Sequence, residues 1–319
     1  MGTVTNARSV KTKSKPAYGF LRQISIHKSL YIMLIPAVSY FIIFKYIPIL
    51  GSVIAFQDYN VYKGFLHSEW VWFDNFIQLF ASVNFFRILS NNLIISLYQI
   101  VFSFPAPIIL ALLLNEVSNM KFKRSIQTMV YLPHFLSWPI IVGLIYFLLS
   151  SQTGIVNGIL IRVGMIDEAI PFLQKAIYVR GLIVLSGIWK EMGWGAIIYL
   201  STLTSISPSL YESATIDGAG RLKQCLYITI PGILPAVSTL LLLRIGNIMD
   251  LGFEQIYPFI NGITMSKADV FDTYTYRAGI LEGQYDISAA IGMFKSVVGC
   301  ILLLIANKAS KLTGGDGII

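Results

Sequence analysis

Apolar residues along the chain gather in long, nearly unbroken windows rather than in the alternating or 3.6-residue stripes of a domain with one wet face. A helix needs about 20 mostly apolar residues to cross the hydrocarbon core of a bilayer. About six windows qualify, at 29–46, 89–114, 126–150, 178–203, 233–256 and 286–306. The pattern predicts an all-α integral membrane protein in which each window is one spanning helix. The first window reads as a retained helix, since residues 1–28 make too long a leader and no small-residue cleavage site precedes Lys45-Tyr46-Ile47-Pro48.

The segments between the windows are polar or aromatic. Residues 1–28 form a basic tail with little apolar periodicity, expected to be disordered or to lie along the membrane surface, and 313–319 form a short second tail. Residues 47–88 end in Trp70-Val71-Trp72-Phe73-Asp74-Asn75-Phe76, followed by Phe80, Phe85 and Phe86. Such a run suits a helix in the outer interface, where aromatic rings settle, in preference to a sugar-stacking surface. The connection 151–177 has turn formers at Gly154 and Asn157 and a breaker at Pro171, while 257–285 offers Asp272, Tyr274, Tyr276, Arg277 and Tyr285 to an extracellular partner.

Charge orients the helices, because cytoplasmic loops collect Lys and Arg. Arg8, Lys11, Lys13, Lys15, Arg22 and Lys28 precede the first window; Lys121, Lys123 and Arg124 follow the second; Arg221 and Lys223 follow the fourth; Lys308 and Lys311 follow the sixth. This distribution predicts a multi-pass protein of the cytoplasmic membrane with both termini in the cytoplasm. Only 13% of residues are charged, against roughly 25% in soluble domains. The net charge of +8 sits mostly in the tail and short loops, so topology accounts for it without nucleic acid. Cys225 falls in a cytoplasmic loop and Cys300 in the last window, which disfavours a disulfide and makes both packing residues.

No phosphate-binding G-x-x-x-x-G-K-[ST] occurs, nor H-E-x-x-H among His27, His67 and His134, nor a G-x-S-x-G elbow. The chain is therefore not expected to hydrolyse nucleotide, peptide or lipid by itself, and no catalytic or metal-binding residue is assigned. The most informative stretch is residues 205–231. Ser209 and Glu212 have capping-box spacing, and Ser207-Pro208 offers an alternative cap. The helix so started is expected to end at Asp217-Gly218, with a second short helix at Leu222–Ile228 running to Pro231. An ordinary helix-turn-helix connector would look the same.

This loop resembles the EAA loop of ABC-type import permeases, whose pattern is Glu-Ala-Ala, three residues, Gly, nine residues and Ile-x-Leu-Pro. Glu212, Ala214, Gly218, Ile228 and Pro231 fall in register, while Ser213 and Ile230 depart from it. Residues 121–149, with Arg124-Ser125-Ile126-Gln127-Thr128 and Tyr131-Leu132-Pro133-His134-Phe135, are similar to the polysaccharide-type permeases of the carbohydrate uptake family, relatives of the maltose permeases. So are Ile188-Trp189-Lys190, Gly193-Trp194-Gly195, Gly252-Phe253-Glu254-Gln255-Ile256, Ser296-Val297-Val298-Gly299 and Ile305-Ala306-Asn307-Lys308, which extends the resemblance over about residues 29–312.

The resemblance implies a six-helix type I ABC importer permease domain over 29–312, coupled through Glu212, Ala214, Asp217, Gly218 and Arg221 to a cytoplasmic ATPase. It also implies a second homologous permease, two copies of that ATPase, an extracytoplasmic solute-binding protein and an oligosaccharide or polysaccharide-fragment cargo. ATP and Mg would belong to the ATPase subunits, with no cofactor on this chain. A permease for another polar solute, or a membrane sensor or scaffold, are the competing readings.

Polar residues inside spans face a bundle interior or a water-filled path. At helical spacing they give four candidate pathway stripes: Asn92, Ser96, Gln99 and Ser103; Lys190 and Trp194; Arg244, Asn247, Leu251 and Glu254; and Ser288, Gly292, Lys295 and Gly299. The alternative is that Lys190, Arg244 and Lys295 are neutralised by Glu191, Asp250 and Glu254 in structural ion pairs.

Overall fold

The computed structural model describes residues 27–312, in two compact units divided after Val53. Both tails foreseen from the sequence lie outside the described residues, apart from His27 and Lys28. In the first unit, α1 (Lys28–Phe41) continues through a π-type turn at Ile42–Tyr46 into Ile47–Gly51.

The second unit starts with a two-stranded antiparallel hairpin, β1 (Gln57–Asp58) pairing with β2 (Glu69–Trp70), followed by α2 (Asp74–Ala81). The helix expected at the end of this aromatic segment spans only α2, whose Asn75 amide donates to the carbonyls of Ala55 and Gln57 and ties it to the hairpin. Then come α3 (Phe85–Glu116), α4 (Met120–Phe135), α5 (Trp138–Leu149), α6 (Ile155–Arg162), α7 (Ala176–Thr204), α8 (Pro208–Ile216) and α9 (Arg221–Gly246). The short α10 (Phe253–Ile256), α11 (Met265–Ala268) and α12 (Phe271–Tyr276) precede α13 (Tyr285–Leu312).

Five helices are long and apolar enough to span a bilayer, namely α3, α7, α9, α13 and the α1 segment, and the α4–α5 pair makes a sixth passage if counted as one. In the second unit, α7 lies along the second half of α3 and α9 packs against α13. Small residues set these distances. A Cβ on Gly193 of α7 would overlap the Val130 carbonyl of α4, and one on Gly299 of α13 would stand 2.7 Å from the Gly246 oxygen of α9. Close helix approach through small residues is how membrane helices gain packing energy without a hydrophobic drive. Ile95, Val142, Val179, Ile183 and Ile256 form one buried core, and Phe85, Phe271 and Phe294 meet in a second with centroids 5.4–5.9 Å apart.

Three expectations fail here. The window 126–150 is not one helix: α4 and α5 meet at 104°. Leu136 and Ser137 are extended, Pro133 lies in the last turn of α4, and Pro139 lies in the first turn of α5. Proline removes a donor and pushes the residue before it out of the helical region. The window 233–256 is also broken, because the helix stops at Gly246 and the chain is irregular until Gly252, at φ +89. Conversely, the separate helix expected at Leu222–Ile228 is the first part of α9. A π-type turn at Cys225–Thr229 carries the helix past Pro231, its wider ring accommodating the missing proline donor.

The two breaks, both inside apolar windows, free backbone groups, and side chains recapture them. Lys190 Nζ donates to the carbonyls of His134 and Leu136, both at 2.6 Å, and lies 5.4 Å from the Trp138 ring. Ser96 Oγ and the Asn92 amide donate to the Ile248 carbonyl at 2.6 and 3.2 Å. The Asp272 carboxylate accepts from the N–H of Leu251 and Gly252 at 2.9 and 3.1 Å. Lys190→Met should therefore destabilise the protein by about 2–5 kcal/mol, since two partly buried carbonyls lose a charged donor. The check is thermal unfolding in detergent, where the variant is expected to melt several degrees below the parent; equal melting would mean that the bend does not depend on Lys190.

Candidate functional site

Two regions collect the polar chemistry. The first is a cleft of about 440 Å³ between α3, α5, α7 and α9, inside the range typical of small-ligand sites. Its walls include Gln99 and Ser103 of α3, Trp138 of α5, Glu191, Trp194 and Tyr199 of α7, Arg244 of α9, Asn247 and Leu251 from the break after it, and Gln255 of α10. The π-type turn at Gln99–Ser103 rotates part of the α3 polar stripe onto this wall. Gln99 accepts a hydrogen bond from the Arg244 guanidinium. Trp194 is 46% exposed and stacks on His134, with ring centroids 4.5 Å apart and planes 1° from parallel. His134 in turn holds Glu191 at 2.9 Å. The arrangement supplies an open aromatic face, a guanidinium, and amide and hydroxyl groups, which is the chemistry that carbohydrate hydroxyls and apolar ring faces can use.

Of the pathway residues read from the sequence, Gln99, Trp194, Arg244 and Asn247 meet in this cleft, and Asn92, Lys190, Glu254 and Lys295 do not. Asn92 and Lys190 serve the broken backbone. Glu254 is exposed on α10, because the loss of helix at 247–252 breaks the spacing that placed it on the Arg244 face. Lys295 pairs with Asp250 at 2.6 Å and with Asp272. In its stripe, Gly299 serves helix packing and Ser288 donates to the Thr275 carbonyl, whereas Gly292 is exposed with nothing within 4 Å of a Cβ, and none of the four lines the cleft. The ion-pair alternative holds for Lys295 with Asp250. Lys190 reaches Glu191 only at 3.9 Å, and Arg244 has no carboxylate within 4 Å among the described residues.

Sequence reasoning missed His134, Glu191 and Gln255 as wall or support residues, and it assigned Asp272 to an outward-facing loop. The adjacency of Lys190, Glu191 and Trp194 was a usable signal, but only the bend that brings His134 across reveals their division of labour.

The second region is α8 and its turn. Ser207 is the N-cap residue and Pro208 the first helical residue, so the Ser207-Pro208 start is used rather than the Ser209–Glu212 capping box. Asp217 closes the helix, and Gly218 takes φ +75, with Ala219 N donating to the Ala214 carbonyl at 2.8 Å. Gln224 of α9 donates to Thr215 Oγ1 and to the Ala219 carbonyl, and the Tyr211 and Thr229 hydroxyls meet at 3.0 Å, which fixes α8 to α9. Glu212, Asp217 and Gly218 are exposed and Ala214 is half-buried. Arg221 lies 3.7 Å from Glu116 at the end of α3. The same end of this unit therefore carries the basic starts of α4 and α9. Around α8, Leu210, Ile216, Leu222 and Tyr227 are exposed apolar side chains, an unusual concentration on a polar loop. Cys225 and Cys300 are free thiols, and Cys300 is exposed rather than packed.

Protein LplB of Bacillus subtilis (strain 168) is 47% identical over 291 residues, covering 91% of this chain and 91% of its own length. The polygalacturonan/rhamnogalacturonan transport system permease protein YteP of the same organism is 46% identical over 291 residues, covering 91% and 90%. A bacterial alginate ABC transporter, solved in complex with an alginate pentasaccharide-bound periplasmic protein, contains a chain 40% identical to this one. That chain superposes with a TM-score of 0.85, covering 94% of this chain and 99% of its own length. The family model of binding-protein-dependent transport system inner membrane components matches residues 103–310, which takes in α8, the whole of α9, nearly all of α13 and every named cleft residue but Gln99. The chain belongs to that family, the membrane-embedded permeases of binding-protein-dependent ABC transport systems.

Proposed function

We propose that this chain is one half of a paired permease through which oligosaccharides or polysaccharide fragments enter the cell, driven by ATP hydrolysis on separate subunits. The observation that carries the reading is α8. It is a helix of 9 residues that is exposed on most of its surface, rimmed by Leu210, Ile216 and Leu222, and bound to α9 rather than buried in the bundle. Such a knob fits a cleft on another protein. In the permeases that the chain resembles, this is where the cytoplasmic ATPase docks, and Glu212, Ala214, Asp217, Gly218 and Arg221 take the corresponding positions.

The relatives supply the cargo class: one is a permease for polygalacturonan and rhamnogalacturonan, and the alginate importer works with a periplasmic protein that holds the sugar. On this reading the partners are a second, homologous permease, two ATPase copies that hold ATP and Mg, and a solute-binding protein outside. The cleft containing Gln99, Trp194, Arg244 and Asn247 forms this half of the path.

The orientation can be checked with reporters. Fusions after Lys121 or Lys223 are expected to read cytoplasmic and an insertion near Gly154 external, following the charge bias; an external signal at Lys223 would put α8 on the wrong side for an ATPase. Gly218→Asp tests the coupling. Nothing lies within 4 Å of a Cβ at Gly218, so the folded chain bears only the cost of φ +75, roughly 1–2 kcal/mol. The bundle should stay assembled while an added carboxylate beside Asp217 enters the docking face unpaired. Transport and sugar-stimulated hydrolysis are expected to fall at least about tenfold, with the ATPase lost in pull-downs; normal retention and normal stimulated hydrolysis would rule out α8 as the coupling element.

A further inference from the structure

We infer that Arg244 recognises a carboxylate on the transported sugar, so that the cargo is an acidic, uronate-bearing oligosaccharide; this deepens the import reading above and rests on it. Most buried cations of this unit have a carboxylate or two carbonyl partners. Lys295 has Asp250 and Asp272, and Arg277, near the start of α13, has the fully buried Asp269 at 2.7 Å. Lys190 is held by two carbonyls, with Glu191 at 3.9 Å. Arg180 of α7 also lacks a carboxylate within 4 Å among the described residues, but both the Asn91 side chain and the Lys267 carbonyl accept from it, and it stands away from the cleft. Arg244 differs on both counts. It stands on the cleft wall, half-buried, and its one hydrogen-bond acceptor among the described residues is the neutral Gln99 side chain.

A guanidinium removed from water without a counter-charge is costly, and a cost maintained at a cleft wall points to an anion supplied from the cleft. The acidic group of that wall, Glu191, does not supply it, because His134 engages its carboxylate at 2.9 Å. Gln99 fixes one arm of the guanidinium, and its other N–H groups meet no acceptor among the described residues. A planar fork held in this way matches a carboxylate in two parallel hydrogen bonds, a geometry that a hydroxyl cannot reproduce. Trp194 adds the second half of the recognition. Backed by His134, its 46% exposed indole presents a flat apolar surface of the kind on which the C–H face of a pyranose ring rests. One wall then reads the ring and the other its charge, and neutral sugars satisfy only the first.

The test uses the complete transporter in proteoliposomes with its solute-binding protein. The probes are trimers of galacturonate, mannuronate and guluronate, each paired with its carboxyl-reduced neutral counterpart. Uptake is measured per assembled transporter for the parent, Arg244→Gln and Arg244→Lys. Comparing variant with parent cancels whatever selectivity the solute-binding protein contributes. Arg244→Gln is expected to lower the acidic-to-neutral uptake ratio at least about tenfold, as loss of a charged hydrogen-bonded pair implies, and Arg244→Lys should give an intermediate ratio. An unchanged ratio overturns the inference. So does a fall in both probes together with dissociation of the permease pair, which would assign the guanidinium to a carboxylate of the second permease. A parent that carries only the neutral members overturns the inference and leaves the import reading standing; a parent that carries none of the six overturns both.

Discussion

Backbone polarity is the constraint on which this molecule turns. Within hydrocarbon, a carbonyl or N–H left without a partner costs several kcal/mol, so a spanning chain is expected to stay helical from one interface to the other. This chain breaks that rule twice, at Leu136-Ser137 and at 247–252. Each break is tolerated because polar side chains from neighbouring helices replace the missing backbone partners. Lys190 closes the first, while Asn92, Ser96 and Asp272 close the second. The benefit is geometric. Only where the helices stop can Trp138, Leu251 and Gln255 turn toward the same space as Gln99 and Arg244, and the cleft exists between the two breaks.

The same bonds distribute the charged residues. Lys190 is anchored by carbonyls and Lys295 by Asp250 and Asp272, so both serve architecture although they look like transport residues in the sequence. Asp272 has two tasks, accepting the N–H groups of the irregular segment and pairing with Lys295 of α13. Its position in a loop rich in tyrosine gave no hint of this, because partner choice depends on where a distant break delivers its free N–H groups.

Much of the fold was legible because bilayer thickness imposes a length on apolar runs. The windows 89–114, 178–203 and 286–306 lie inside α3, α7 and α13, and the stop at Gly218 follows from the left-handed geometry that glycine accepts. The broken windows were misread because hydropathy sums composition and is blind to backbone direction. Pro133, Pro139 and Gly252 were local signals of interruption inside windows that remained apolar enough to pass. Helical spacing similarly identified the polar faces but not what each face meets. Gln99 and Asn92 share one stripe, yet the π-type turn that begins at Gln99 puts one on the cleft, while the other is bonded to the Ile248 carbonyl.

The continuity of α9 also has a mechanical side. Because no loop separates the segment that holds α8 from the segment that carries Arg244, 26 residues from Arg221 to Gly246 act as one rod, about 39 Å long at 1.5 Å per residue. A rod transmits tilt from end to end. Gln224 and Tyr211 clamp α8 to its foot, and Asn247 and Leu251 on the cleft wall follow directly from its head. A swing of α8 through a few degrees would thus displace the wall near Arg244 by ångströms, enough to open or pinch a guanidinium–carboxylate pair. If α8 docks an ATPase and the cleft holds the cargo, as proposed above, leverage along a single helix would link the two with no relay of intermediate contacts needed.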